Sequence, residues 1–257
     1  MIKAYFRPAT LDEAVALLMD KNKNLKPLGG GTRLSREQAE LSGVVDLQDL
    51  SLDYLIKEAG WLKAGASLTL GSLLAHSDVH PEIKRAIRID SHQNMRNAAT
   101  LGGWLVSSDG RSIISTLLLA LDARLIWEPG KQEVQLGDWL PVRKMEAPGV
   151  LITEIEWRDD LKLAFEYVAR SPKDKPILIV AAAQWKSGRT RVALGGFGDS
   201  AIIAMDGPEA NGADLASRDA YYEAEDQWAT AVYRREVAAK LALRCVDRLT
   251  AGQESEA

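Results

Sequence analysis

The sequence predicts an α+β protein, and three observations carry that expectation. A strand, glycine loop, helix, strand unit occupies residues 25–47. Three strand-like runs, Leu163–Ala169, Ile177–Trp185 and Thr190–Leu194, follow one another with Ser187-Gly188 as the turn between the last two, which is the pattern of an antiparallel sheet. From Asp214 to Leu249 the chain becomes charged and amphipathic, the signature of terminal helices.

The elements can be justified in order. Met1 to Arg7 reads as a short strand ended by Pro8, and Thr10-Leu11-Asp12-Glu13 is a capping box that starts a first helix, with Leu11, Ala14, Val15, Leu18 and Met19 at helical spacing. Leu25 to Leu28 is a short strand that runs into Gly29-Gly30-Gly31-Thr32. Ser35 is placed to cap a second helix before the apolar strand Val44 to Leu47. Two short strands flank Ala59-Gly60, and Leu70–Leu74 and Pro81–Ile87 read as short helices. Ser112–Leu121 is a strongly apolar helix. Strands follow at Arg124–Trp127, Glu133–Leu136 and within Pro148–Trp157, and Gly207-Pro208 and Asn211-Gly212 break the chain before the terminal helices. Val232, Val237, Leu241 and Cys245 form the apolar stripe of that last stretch, and the tail from Thr250 is expected to fray.

Composition narrows the function. The chain has 257 residues, with 36 acidic and 32 basic side chains and a net charge of −4, a hydrophobic share of 46% and a charged share of 26%. These values suit an ordinary globular protein and argue against disorder and low-complexity scaffolding. No basic cluster suggests nucleic acid. The longest apolar stretches fall far short of the roughly 20 residues of a membrane span, and the absence of a signal-like N-terminal block predicts a cytoplasmic protein. The lone Cys245 rules out an internal disulfide, and it rules out a cysteine-ligated iron–sulfur or zinc site built from this chain alone. Redox work would need an organic cofactor.

Neither G-x-G-x-x-G nor G-x-x-x-x-G-K-[ST] occurs. Two other glycine segments remain, and both read as loops. In Leu28-Gly29-Gly30-Gly31-Thr32, three residues without Cβ let successive backbone N–H groups approach an anion, and the Thr32 hydroxyl adds a donor. Thr100-Leu101-Gly102-Gly103 lies about seventy residues on, preceded by Asn94, Arg96 and Asn97. Alone, a glycine pair is more often structural than functional. Two such segments, both carrying threonine, suit a pyrophosphate clasped from two sides.

Gly30-Gly31-Thr32, Met95-Arg96-Asn97-Ala98-Ala99-Thr100-Leu101-Gly102-Gly103 and Leu118-Leu119-Ala120-Leu121-Asp122-Ala123 together resemble the FAD-binding medium subunit of the molybdenum hydroxylases, as in carbon monoxide dehydrogenase and xanthine dehydrogenase. Leu194-Gly195-Gly196 resembles that family's C-terminal sheet, and the run from Tyr233-Arg234-Arg235 to Arg244 resembles its closing helix. The resemblance implies a two-lobed α/β FAD-binding domain over residues 1–160, with lobes of about 1–54 and 55–160. A smaller domain with an antiparallel sheet and C-terminal helices would follow over 161–257. It also implies electron relay: a partner subunit with molybdopterin oxidises substrate, a second partner with two [2Fe–2S] clusters passes the electrons on, and FAD delivers them to an external acceptor. Gly29, Gly30, Gly31, Thr32 and Arg33, with Thr100, Gly102 and Gly103, would contact the diphosphate or the ribityl chain, and Asp109 would take a ribityl hydroxyl.

The sequence departs from the family pattern at four places. Trp104 stands where the family usually has Asn after the second glycine pair, Ile113 where it has Asp, Gly110 where it has Pro, and Arg33 where an acidic or small polar residue is usual. Trp104, Ile113 and Arg33 support a rival reading, a family-fold subunit that has lost FAD and serves as a scaffold or assembly partner. A self-sufficient flavin oxidase is a third, weaker reading, because neither a substrate domain nor a catalytic base is evident. Other constellations carry less. His76 and His80 are four apart but Pro81 follows and no third metal ligand is evident; His92 has no attachment signature; Asp159-Asp160 and Glu154 with Glu156 read as solvent-facing acids; Cys245 reads as a packed small hydrophobe; and the charged faces around Arg234, Arg235 and Lys240 read as solvated.

Overall fold

A computed structural model describes residues 2–34, 42–145 and 147–251. In chain order the strands and helices are β1 (Tyr5–Phe6), α1 (Leu11–Met19), β2 (Leu25–Leu28), β3 (Gly43–Asp46), β4 (Leu55–Glu58), β5 (Trp61–Gly65), α2 (Leu70–Ala75), α3 (Pro81–Asp90), α4 (Gln93–Ala98), α5 (Leu101–Ser107) and α6 (Ile113–Ala120). They continue as β6 (Arg124–Glu128), β7 (Gln132–Gln135), α7 (Leu136–Trp139), β8 (Leu151–Arg158), β9 (Lys162–Val168), β10 (Leu178–Gln184), β11 (Thr190–Gly195), β12 (Ile202–Gly207), α8 (Ala213–Asp219) and α9 (Ala231–Ala251). The mixed helix-and-sheet class is the one the sequence predicts. The helix that Ser35 was expected to cap lies outside the described residues.

The chain forms two compact units that interleave along the sequence. One comprises residues 1–79, 91–107 and 124–156, and the other residues 80–90, 108–123 and 157–257.

In the first unit, β1, β3 and β2 make a three-stranded parallel sheet, with Leu25 to Leu28 in register with Gly43 to Asp46. Residues 29–42 therefore connect two parallel neighbours, the connection in which a glycine turn at the strand end presents its amides. Helix α1 begins as its capping box predicts, with the Glu13 N–H donating to Thr10 Oγ1 at 3.3 Å and Glu13 Oε2 accepting from the Ala9 N–H. The unit's second sheet has the order β4-β5-β8-β6-β7.

The second unit is built on the antiparallel sheet β12-β11-β10-β9. Leu178, Val180, Ala182, Val192 and Leu194 pack with Tyr221, Ala238, Leu241, Cys245 and Leu249 of the C-terminal helical region. The alternate residues of β10 are equally buried, and α6, all eight of whose residues are buried, packs on β10 and β11. Both faces of the sheet are thus covered, which is why β10 reads as an unbroken apolar run instead of an alternating one.

Three local expectations change. The second glycine segment is not a loop: Gly102 and Gly103 sit in the first turn of α5, preceded by a further short helix, α4, that the sequence pattern did not announce. Arg234 is not on a solvated face. It is fully buried, donating to the carbonyls of Ile177 (3.0 Å), Ala224 (2.7 Å) and Ala229 (3.0 Å) and to Asp226 Oδ1 (2.8 Å), and its guanidinium lies over the Phe197 ring. Val232, assigned to the buried stripe of α9, is 70% exposed.

Candidate functional site

The first unit contains a cavity of about 350 Å³ lined by the first glycine segment, by Thr100, Gly102, Gly103, Val106 and Ser107 around α5, by the indoles of Trp127 and Trp139, and by residues 149–152 leading into β8. Lys26, Arg33 and Arg143 also line it, and no aspartate or glutamate does among the described residues. Eight of the nine site residues read from the sequence are brought together here. Asp109 is not: it lies in the second unit, where its carboxylate accepts from the Arg111 N–H at 3.0 Å and pairs with the Lys175 ammonium at 2.6 Å. Enclosure alone would raise this carboxyl, but the lysine overrides it and draws the group below the usual aspartate range.

Sterics fix how the two glycine segments meet. A Cβ on Gly30 would fall 1.6 Å from the Ala98 carbonyl oxygen, and one on Gly29 would fall 2.7 Å from Thr100 Oγ1. Only hydrogen at these positions lets the loop lie against the α4–α5 junction. Gly31 has φ +67°, in the left-handed region, so the turn itself also calls for glycine.

The amides of the two segments have different fates. At α5 they are spent within the fold: Leu101 N–H donates to the Leu68 carbonyl at 2.9 Å, Gly102 N–H to the Ala66 carbonyl at 3.0 Å, and Gly103 N–H to Thr100 Oγ1 at 3.2 Å. In the loop, the N–H groups of Gly29, Gly30, Gly31 and Thr32 donate to nothing among the described residues. Backbone donors left open at a cavity wall need water or a ligand. Gly102 is also fitted against Ala66, whose Cβ would lie 2.9 Å from a Cβ placed there. The first glycine segment is the one with amides to offer.

Trp104, on α5, is partly buried and is not among the residues lining the cavity. Ile113 stands at the N-terminus of α6 in the second unit, where the Asp90 carboxylate accepts from Ser112 Oγ at 2.8 Å, from Ile113 N–H at 3.0 Å and from Ile114 N–H at 2.9 Å. A carboxylate brought in from α3 thus serves this helix end. Burial pushes Asp90 up to about 6 in spite of these donors.

The remaining titratable candidates have local tasks. His76 Nδ1 accepts from the Asp78 N–H at 3.3 Å, His80 Nδ1 from the Glu82 N–H at 3.1 Å, and His92 Nδ1 from the Met95 N–H at 3.2 Å as the cap of α4. Asp160 pairs with Arg158 at 2.5 Å, and Glu154 accepts from the Tyr54 hydroxyl at 2.6 Å. Cys245 is fully buried against the Val180 carbonyl, and burial pushes its thiol up to about 12. Among the described residues no cluster of three His, Cys, Asp or Glu could hold a metal ion, and no helix is long and apolar enough to cross a membrane.

Sequence reasoning missed Lys26, Arg143, Trp127 and Trp139. They come from three separate stretches, and no spacing marks them as a group; only the folding of β2, β6 and α7 around one space does.

Comparison with known proteins agrees with this architecture. The chain is 26% identical over 244 residues to the uncharacterized protein YgfM of Escherichia coli strain K12, covering 91% of this chain and 92% of that protein. It is 27% identical over 228 residues to the glyceraldehyde dehydrogenase medium chain of Sulfolobus acidocaldarius, covering 79% and 78%. Its fold matches the carbon monoxide dehydrogenase of Hydrogenophaga pseudoflava that lacks the Mo-pyranopterin moiety of the molybdenum cofactor, with a TM-score of 0.82, 20% identity and 98% of each chain covered. Residues 1–157 match the family model described as the FAD binding domain in molybdopterin dehydrogenase, and the chain belongs to that family.

Proposed function

We propose that this chain is the flavin-carrying electron-transfer subunit of a molybdenum hydroxylase-like complex. It would receive electrons from the [2Fe–2S] clusters of a small partner subunit, with a molybdopterin-binding large subunit oxidising the substrate. The observation that carries the reading is the set of four unspent amides, Gly29 to Thr32, on a cavity that also holds Lys26, Arg33 and Arg143. That donor set suits a diphosphate, which carries negative charge and many acceptors and has no use for a carboxylate neighbour.

The residues present fit FAD. The amides and the Thr32 hydroxyl would hold the diphosphate, with Gly102 and Gly103 letting α5 approach and Thr100 fixing the start of that helix. Val106, Leu151 and Ile152, with Trp127 and Trp139, supply apolar wall for a ring system. FAD, when bound, supplies the ability to take up an electron pair and release it to another acceptor; the protein supplies position and electrostatics. No acid, base or nucleophile of this chain has to act, which agrees with the local structural tasks of its histidines and of Cys245. Asp109 takes no part in this scheme, because it does not line the cavity and its carboxylate is paired with Lys175.

The rival reading, a scaffold without flavin, rests on Trp104, Ile113 and Arg33. Trp104 does not line the cavity and Arg33 adds a cation to it, so two of the three departures leave room for the cofactor. The test is direct. The purified full chain, mixed with FAD and desalted, should keep a flavin absorption band that is released on denaturation; a colourless protein with no FAD in the denatured supernatant would leave the scaffold.

A further inference from the structure

The indoles of Trp61, Trp185 and Trp228 each carry a guanidinium, and they differ in how its charge is met. Arg124 lies 3.9 Å from the Trp61 ring centre and pairs with Glu133 at 2.5 Å. Arg189 lies 4.5 Å from the Trp185 ring centre and pairs with Asp206 at 2.7 Å and Asp122 at 3.0 Å. Trp228, in the turn before α9, has two guanidiniums instead, Arg111 at 4.9 Å and Arg170 at 5.6 Å from the ring centre. Arg111 donates to the carbonyls of Pro176 (2.7 Å) and Lys175 (2.5 Å), and Arg170 makes no hydrogen bond; among the described residues neither forms an ion pair. The acids close by are committed elsewhere. Asp109 pairs with Lys175 at 2.6 Å, Asp226 Oδ1 accepts from the Trp228 N–H, the Ala229 N–H and Arg234, and Glu225 Oε2 accepts from the Ala231 N–H at 3.4 Å. Lys173 and Asp174, exposed on the loop that carries Arg170, offset each other. The indole itself is 40% exposed.

We infer that Trp228, Arg111 and Arg170 form a docking surface for a carboxylate-rich segment of another polypeptide, with the indole as apolar anchor and the two guanidiniums as the arms that read charge. Like charges gathered around one ring repel each other, and an incoming carboxylate relieves that repulsion. Tryptophan and arginine are also the residue types in which interfaces concentrate their binding energy. The surface is set before a partner arrives: Asp226 fixes the Trp228 backbone and two carbonyls hold Arg111, so little side-chain freedom is lost on docking. Arg111 still has its Nη1 donors, and Arg170 its whole planar fork, for a carboxylate. Charge complementarity selects the partner. The chain carries a net charge of −4, so meeting an acidic polypeptide requires a local reversal of sign, and Trp228 is where guanidiniums stand without carboxylates. An anionic membrane fits less well, because it calls for about four to eight clustered cations, and here two guanidiniums flank the indole. Every residue named belongs to the second unit and none lines the cavity, so this docking and flavin retention are separate properties.

The full chain grown with 5-fluorotryptophan gives a fluorine resonance for each of its seven tryptophans, and Trp228→Phe assigns the line of Trp228. Hexaglutamate is the probe, with hexaglutamine as its uncharged counterpart. Docking shifts the Trp228 line saturably as hexaglutamate is added, leaves it in place with hexaglutamine, and weakens as salt rises. Arg170→Gln removes no hydrogen bond among the described residues, so the fold is kept while hexaglutamate affinity falls about threefold, the scale of one exposed ion pair. Arg170→Lys, which keeps the charge, recovers part of that loss. A Trp228 line that hexaglutamate does not move, an equal response to hexaglutamine, or an unchanged affinity in Arg170→Gln would overturn the proposal. So would a Trp228 line broadened by phosphatidylserine vesicles and untouched by hexaglutamate, which would make the surface a membrane contact.

Discussion

Gly30 lies so close to the Ala98 carbonyl that a methyl group in place of its hydrogen would sit 1.6 Å from the oxygen. The obstacle is backbone, not the end of a flexible side chain, so it cannot step aside. Gly30→Ala should force the loop off the α4–α5 junction and abolish flavin retention, and Gly30→Val should do the same. Far-ultraviolet dichroism should change little, because only the loop moves. Full retention of flavin in Gly30→Ala would mean that the loop is not the diphosphate site.

Thr100 tests the helix that carries the second glycine pair. Its Oγ1 accepts from Gly103 N–H, so Thr100→Val keeps the shape and removes the cap. A lost cap costs about 1 kcal/mol, which in a protein of this size lowers the melting temperature by about 2–4 °C. Thermal denaturation followed by dichroism would read it, and an unchanged midpoint would mean that the Gly103 amide finds another acceptor.

Arg234 should be among the most sensitive positions in the second unit. Replacing it by Met removes four hydrogen-bonded contacts and leaves the buried carbonyls of Ile177 and Ala224 without this donor, while the Ala229 carbonyl keeps the Asp226 N–H at 3.2 Å. Breaking a buried pair by removing one partner costs about 3–5 kcal/mol. Arg234→Lys should recover little of this, since an ammonium cannot reach the same spread of acceptors. Urea titration of both variants checks the ordering.

Asp90 gives the stability curve a predicted slope. Its folded-state pKa of about 6 lies above the ordinary 3.8 of an unfolded aspartate. The folded state therefore holds more protons between those two values, and this group's contribution favours folding below pH 4 and is lost as pH rises through 6. The two-unit gap corresponds to about 3 kcal/mol. Urea unfolding of the unaltered chain and of Asp90→Asn at pH 4, 5, 6 and 7 isolates the term: the variant should lack this fall between pH 4 and 6, and parallel curves would show that Asp90 titrates normally.

Cys245 should be silent toward thiol reagents in the folded protein and react with one equivalent in denaturant, because burial holds its thiol protonated up to about 12. Rapid native labelling would mean that α9 opens readily.

Much of the fold was legible because local and tertiary demands agree there. The capping box at Thr10 starts α1, the apolar run of α6 is buried on every side, and Ser187-Gly188 turns β10 into β11 as an antiparallel pair. The segment from Gln93 to Ser107 was not legible. A helix beginning Leu-Gly-Gly has poor intrinsic propensity, and α5 exists because Leu68 and Ala66 supply acceptors for its first amides, partners that lie more than thirty residues away. Arg234 was misread although a signal was present: Arg234, Ala238, Leu241 and Cys245 keep helical spacing, so the arginine lies on the buried stripe, and its charge alone argued for solvent. At the site, the glycine segments were visible in the sequence, but which of them had amides to spare was not. That depends on acceptors at Ala66 and Leu68, and no glycine pattern encodes them.

The interleaving of the two units has a practical consequence for anyone who cuts the gene. A fragment ending near residue 157 would contain every residue of the cavity yet carry α3 and α6 as orphans, deprived of the sheet that covers them. Ile113, Ile114, Leu117 and Leu118, all nearly inaccessible in the intact chain, would meet water at once. Such a truncation should emerge as inclusion bodies, whereas replacing residues 108–123 by a short hydrophilic bridge and deleting 80–90 offers a route to a soluble minimal module.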